Sequence, residues 1–193
     1  KDVSQLKRLG GIWYDIGRGI AMANGKSPED FKIIGAQKGS VVLELIVLAK
    51  IATSVSVILL AGLKVTEKVI DILKKAEELK KLKLGNKKIA LDLEKEAEKE
   101  RTEGVKNITE EIVKKLKLKP KEEGDKVTAL EKSIKNIIDF TENGGLIDFI
   151  QPDDEGEEEV KGELKEFREN CIEIRQIEDK IKLLEEGENS EDE

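Results

Sequence analysis

The run from Lys38 to Leu63, KGSVVLELIVLAKIATSVSVILLAGL, is the most apolar part of a chain in which 40% of the residues are charged. A run of this kind is compatible with a membrane span, a buried strand or a buried helix. Each choice leads to a different fold, so this segment constrains the architecture more than any other.

The membrane interpretation depends on two charged residues, Glu44 and Lys50. As one helix, residues 41–63 would be about 34 Å long and could cross a hydrocarbon core of about 30 Å, but the uncharged residues 51–63 reach only about 20 Å. Burying both charges costs about 5 to 7 kcal/mol, which offsets the 4 to 8 kcal/mol or so that the aliphatic side chains contribute. A non-spanning segment is favoured, and a membrane-associated or membrane-inserting protein using residues 41–63 remains the alternative.

The periodicity of the same run changes in its middle. FKIIGAQ and SVVLELIV are β-branched runs separated by Lys38 and Gly39, which is typical of a β-hairpin. From about Lys50 the apolar residues recur at helical spacing. We therefore predict strands near residues 31–37 and 41–48, a possible third strand at 146–150, and a long helix near 50–84.

Helical patterns occupy most of the remaining chain. Residues 3–23 form a glycine-rich helix that is either broken near Gly10 or closely approached by a partner helix. Gly104 is predicted to end one helix and precede another. The last helix, near residues 158–186, carries a coiled-coil seam: Val160, Leu164, Phe167, Cys171, Ile174, Ile177, Ile181 and Leu184.

These patterns predict a mainly α protein with a small antiparallel sheet, an α+β class with long amphipathic, coiled-coil-like helices. Three segments are expected. Residues 1–84 form a helix–β-hairpin–long-helix unit, and residues 85–150 form a charged helical segment with the possible third strand. Residues 151–193 form an acidic coiled-coil-like helix and tail.

Charge is distributed unevenly along the chain. Residues 151–193 contain 18 acidic and 6 basic residues, a net charge of −12, which leaves +5 on residues 1–150. The acidic end is either a solvated tail or a weak docking contact for the lysine-rich residues 74–88, within one chain or between neighbours.

The usual catalytic residue patterns are missing from the sequence. There is no histidine, no glycine-rich phosphate loop, and a single cysteine, Cys171, on an apolar seam. The carboxylates of residues 153–159 lack the spacing of a calcium loop. We expect no enzyme activity, no cofactor and no metal site. The lysine clusters lack aromatic residues for base stacking, which disfavours nucleic acid as a partner.

The order of an apolar helix, GKSPEDFKII, KGSVVLELIV and an apolar run passing into VIDILKKAEELKKLKL covers somewhat under half the chain. It resembles functionally uncharacterised bacterial proteins in which a helix–hairpin unit, with the phrase SPEDF…KGS, leads into a long charged helix. The resemblance implies a bacterial, non-secreted protein, and it carries over no functional residue because no activity is established for that group. Together with the lone cysteine it gives a cytoplasmic location as the expectation, with membrane association as the alternative.

Plentiful apolar seams and charged faces predict a non-catalytic assembly or protein-interaction module. Such a module would form a homo-oligomer or bind a protein partner through its helix seams. Seven residues are the predicted core or interface positions: Leu59, Leu63, Ile70, Leu73, Leu164, Phe167 and Ile174.

Overall fold

The computed structural model describes residues 3–27, 29, 31–36, 41–47, 49–82, 87–149 and 160–186. Its described helices are α1 (Val3–Ala23), α2 (Ala49–Lys81), α3 (Lys87–Lys115), α4 (Gly124–Glu142) and α5 (Val160–Glu186). Its described strands are β1 (Phe31–Ala36), β2 (Val41–Val47) and β3 (Gly145–Phe149). The predicted mainly helical class is confirmed.

The three strands lie in the order β1-β2-β3. β1 and β2 are antiparallel, with Phe31 opposite Val47 and an irregularity between Ile33 and Gly35. β3 runs parallel to β2, with Val41 opposite Gly145. The sheet is therefore mixed, and the prediction of a purely antiparallel sheet is wrong on this point. Three long helices separate β2 from β3, and parallel pairing requires such a crossover connection.

The apolar run changes from strand to helix between Val47 and Ala49. The helical part faces the protein interior, where Val55, Ile58, Leu59 and Leu63 are fully buried. Among the residues that the structure describes, no helix combines the length and apolar character needed to cross a bilayer.

α2 is the central helix, because α3, α4 and α5 all pack against it. α3 runs antiparallel to α2, since Lys68 pairs with Glu100 and Lys80 pairs with Glu94. Residues contributed by all five helices and by Ile147 of β3 form one hydrophobic cluster. The three segments expected from the sequence all contribute to this cluster.

α4 covers only the first part of α2. Gly62 lies against Ile137, and Thr66 Oγ1 lies 2.7 Å from Thr141 Oγ1, one residue before α4 ends. α2 therefore continues for about four turns beyond the end of α4. We call residues 68–82 of α2 and 87–100 of α3 the distal hairpin.

The predicted helix break at Gly104 is wrong, and the break considered near Gly10 does not occur. α3 continues through Gly104, where an added Cβ would lie 2.6 Å from Val65 Cγ2. Gly104 therefore permits close packing of α3 against α2 and does not end the helix. α1 continues past Gly10, and the close approach by a partner helix that was the preferred expectation occurs at Gly19, against α4.

Candidate interaction surfaces

Four of the seven predicted core or interface residues lie in the core of this chain. Leu59, Leu63, Phe167 and Ile174 are at most 3% exposed. Ile70 is half-buried and Leu73 is 37% exposed. Leu164 lies within α5, outside the part of that helix whose side chains the structure describes. The apolar seams of α2 and α5 are thus occupied by each other and by the rest of the fold.

α5 lies parallel to α2, and polar contacts link the two helices along the length of α5. Asn170 Nδ2 donates a hydrogen bond of 3.0 Å to Ser56 Oγ, and Lys64 pairs with Glu173 at 2.7 Å. Near its end, Lys74 Nζ donates to the carbonyl oxygen of Leu184. The ion pairs are half exposed and each contributes about 0 to 1 kcal/mol, so apolar burial supplies most of the stabilisation.

A groove of about 700 Å³ lies between the second half of α2 and the end of α5, and we call it the α2–α5 groove. Its lining residues are Lys64, Glu67, Lys68, Asp71, Lys180, Leu183 and Leu184. Leu183 is 69% exposed, which is the largest value among the described large aliphatic side chains.

Ion pairs already organise the rim of the α2–α5 groove. Lys180 lies 3.6 Å from Glu67, and Asp71 accepts a 2.6 Å hydrogen bond from Lys75. That hydrogen bond raises the pKa of Lys75 above its ordinary value. The arrangement offers an exposed leucine between charges of both signs, which suits a protein segment of mixed charge.

A second exposed apolar surface lies at the free end of the distal hairpin. Leu82, Ile89 and Leu91 are 58%, 53% and 53% exposed. We call the described residues at this end, 80–82 and 87–91, the hairpin tip. The exposure of these side chains was not predicted from the sequence. The signal was present in KKLKLGNKKI, where lysines surround each aliphatic residue.

Two buried polar groups lie apart from these surfaces. Glu178 of α5 is 7% exposed, and its Oε1 accepts a 2.7 Å hydrogen bond from the backbone N–H of Ile147 in the outer strand β3. The indole N–H of Trp13 has no hydrogen-bond acceptor among the described residues, and its ring meets Phe140 edge to face at 5.0 Å. The hydrogen bond between Ile147 and Glu178 links α5 to the sheet.

The described residues contain no group of three or more cysteine and carboxylate side chains placed to hold a metal ion. Cys171 is half-buried beside the hydrophobic cluster.

Comparisons with protein-family models, curated proteins and solved structures gave no match to this chain. The resemblance to uncharacterised bacterial proteins therefore stays a prediction.

Proposed function

We propose that this chain is a non-catalytic assembly module that self-associates through the α2–α5 groove. The observation that carries the proposal is Leu183, which is 69% exposed beside the half-buried Leu184 in a groove with a charged rim. The apolar seams of α2 and α5 pack mostly into the core of the chain, whereas the groove presents an exposed leucine to a partner.

A second copy of the chain fits the groove because the rim carries both signs of charge. Lys64, Lys68 and Lys180 lie beside Glu67 and Asp71. In a two-fold symmetric contact each surface meets a copy of itself, so a mixed rim lets the lysines of one copy face the carboxylates of the other. A rim of a single sign would repel its copy.

The affinity expected for this contact is modest. Stable interfaces bury about 800 Å² per partner, and smaller contacts are typical of transient complexes. The groove offers Leu183 and Leu184 as its apolar centre, and its exposed ion pairs add little. We therefore expect a dimer that forms reversibly, with a dissociation constant in the micromolar range, about 1 to 100 μM.

Light scattering coupled to size-exclusion chromatography tests this proposal over a concentration series. The wild-type chain is expected to show a mass that rises towards twice that of the monomer. Leu183→Glu should keep the chain monomeric, because it places a charge at the apolar centre of the contact. Circular dichroism should be unchanged, since Leu183 is exposed.

Ile172→Glu is the matched control. Ile172 lies on the same helix and is 59% exposed, but it does not line the groove. This variant should dimerise like the wild type. A wild-type chain that stays monomeric at every concentration would contradict the proposal, and so would equal losses for the two variants.

A further inference from the structure

We infer that the hairpin tip is a docking surface for an anionic lipid bilayer. The described residues of the tip include four lysines, Lys80, Lys81, Lys87 and Lys88, and no acidic residue. Among the described residues, Lys80 pairs with Glu94, and none of the recorded ion pairs involves Lys81, Lys87 or Lys88. The tip thus combines net positive charge with exposed aliphatic side chains.

The arrangement of the aliphatic side chains favours lipid over a protein helix. Ile89 and Leu91 flank the buried Ala90, and at 100° per residue they lie about 200° apart around the axis of α3. A partner helix would need a single apolar stripe, with residues repeating every three or four positions. Ile89 and Leu91 lie on opposite sides of the end of α3, so one apolar stripe of a partner helix cannot contact both. Both side chains can enter the surface of a bilayer that meets the end of the helix.

The lysines suit the same surface. Long lysine side chains lay their methylene groups along apolar surroundings and extend the ammonium group towards water or phosphate. With Leu82, Ile89 and Leu91 at the level of the acyl chains, the neighbouring lysines would reach lipid phosphates. Basic residues close to an anionic leaflet are attracted individually, and the attraction falls off within a Debye length.

Leu82, Ile89 and Leu91 are each more than half exposed, so none of the described residues covers the tip. α4 ends at Glu142, one residue after the Thr141–Thr66 contact, and Lys80 lies almost four turns further along α2. The tip can therefore meet a flat surface without displacing the core. Docking at the tip leaves Val55 and Leu63 buried, so it differs from insertion of residues 41–63.

Flotation with lipid vesicles tests the inference on the full chain. We expect the protein to float with vesicles of phosphatidylcholine and phosphatidylserine at low salt, and to stay unbound with phosphatidylcholine alone or at high salt. The triple variant Lys81→Gln, Lys87→Gln, Lys88→Gln should weaken partitioning about 100-fold, since each lysine near the surface contributes about fivefold. Adding Leu82→Ser and Ile89→Ser to the triple variant should weaken its partitioning to the vesicles further.

The matched control removes three exposed lysine charges elsewhere: Lys106→Gln, Lys114→Gln, Lys121→Gln. It should keep most of the vesicle binding. Equal losses in the two triple variants would overturn the inference, because binding would then follow net charge alone. Absence of flotation at low salt would overturn it as well.

An acidic protein partner is the competing outcome. Binding of polyglutamate by the wild-type chain, without binding to anionic vesicles, would assign the tip to a protein and contradict the inference. Leu183→Glu distinguishes lipid binding from assembly. If this variant is monomeric and still floats with the vesicles, lipid binding by the tip does not depend on dimerisation through the α2–α5 groove.

Discussion

The α1–α4 crossing and the distal hairpin are both helix pairs, but they are built differently. At the crossing, an added Cβ on Gly19 would lie 2.0 Å from Ser133 Oγ and 2.2 Å from the carbonyl oxygen of Ala129. Ser133 Oγ also lies 3.0 Å from the carbonyl oxygen of Asp15 on α1. In the distal hairpin, buried alanines such as Ala90 make the contact and exposed ion pairs surround it.

The different packing suggests different roles: the α1–α4 crossing stabilises the fold, and the distal hairpin offers a binding surface. The crossing uses close backbone approach and buried hydrogen bonds, so its geometry has little tolerance for added atoms. The distal hairpin packs largely through small side chains and leaves aliphatic side chains exposed at its end, which is typical of a surface that contacts another molecule. Substitutions should therefore affect folding in the first region and binding in the second.

The largest expected effect is at Gly19. Gly19→Ala should destabilise the protein by about 3 kcal/mol, because the new methyl group meets a backbone carbonyl that belongs to a packed helix. Urea denaturation followed by circular dichroism measures the change. Gly11→Ala is the control in the same helix, where the added Cβ meets no atom within 4 Å. It should gain up to about 1 kcal/mol from helix propensity. Similar results for both variants would show that the crossing is not tightly packed.

An intermediate effect is expected where α4 ends. Arg101 Nε and Nη2 donate to Glu142 at 3.0 and 2.7 Å, and this pairing raises the pKa of Arg101. A double-mutant cycle with Arg101→Gln and Glu142→Gln should give a coupling energy of about 2 kcal/mol, because the contact is bidentate and largely buried. The coupling should persist at high salt. A value near zero would place this pair with the surface ion pairs.

The smallest effect is expected in the distal hairpin itself. Lys80 and Glu94 pair across it with side chains that are 49% and 37% exposed. The same cycle with Lys80→Gln and Glu94→Gln should give about 0 to 1 kcal/mol, and less in 1 M salt, where the Debye length is about 3 Å. A coupling as large as that of Arg101 with Glu142 would contradict the interpretation that exposed, weak ion pairs surround the distal hairpin.

Periodicity explains which parts of the fold could be predicted from the sequence. The change from period two to period 3.6 near Lys50 separated strand from helix, and the seam at Phe167 and Ile174 identified buried positions of α5. The direction of β3 and the role of Gly104 depend on contacts far apart in the chain, which no local pattern contains. The α2–α5 groove was equally hidden, because Leu183 belongs to neither seam and becomes part of a surface only when the two helices align.

The parallel pairing of β2 with β3 has a kinetic consequence. Val41 and Gly145 are neighbours in the sheet although α2, α3 and α4 separate them along the chain. Closing so long a loop costs more entropy than forming the adjacent β1–β2 hairpin, and contacts of high sequence separation slow folding. We therefore expect β3 to join the sheet after the intervening helices have brought it close to β2. The hydrogen bond from the Ile147 amide to Glu178 involves the same strand, and we expect it to form in the same late step.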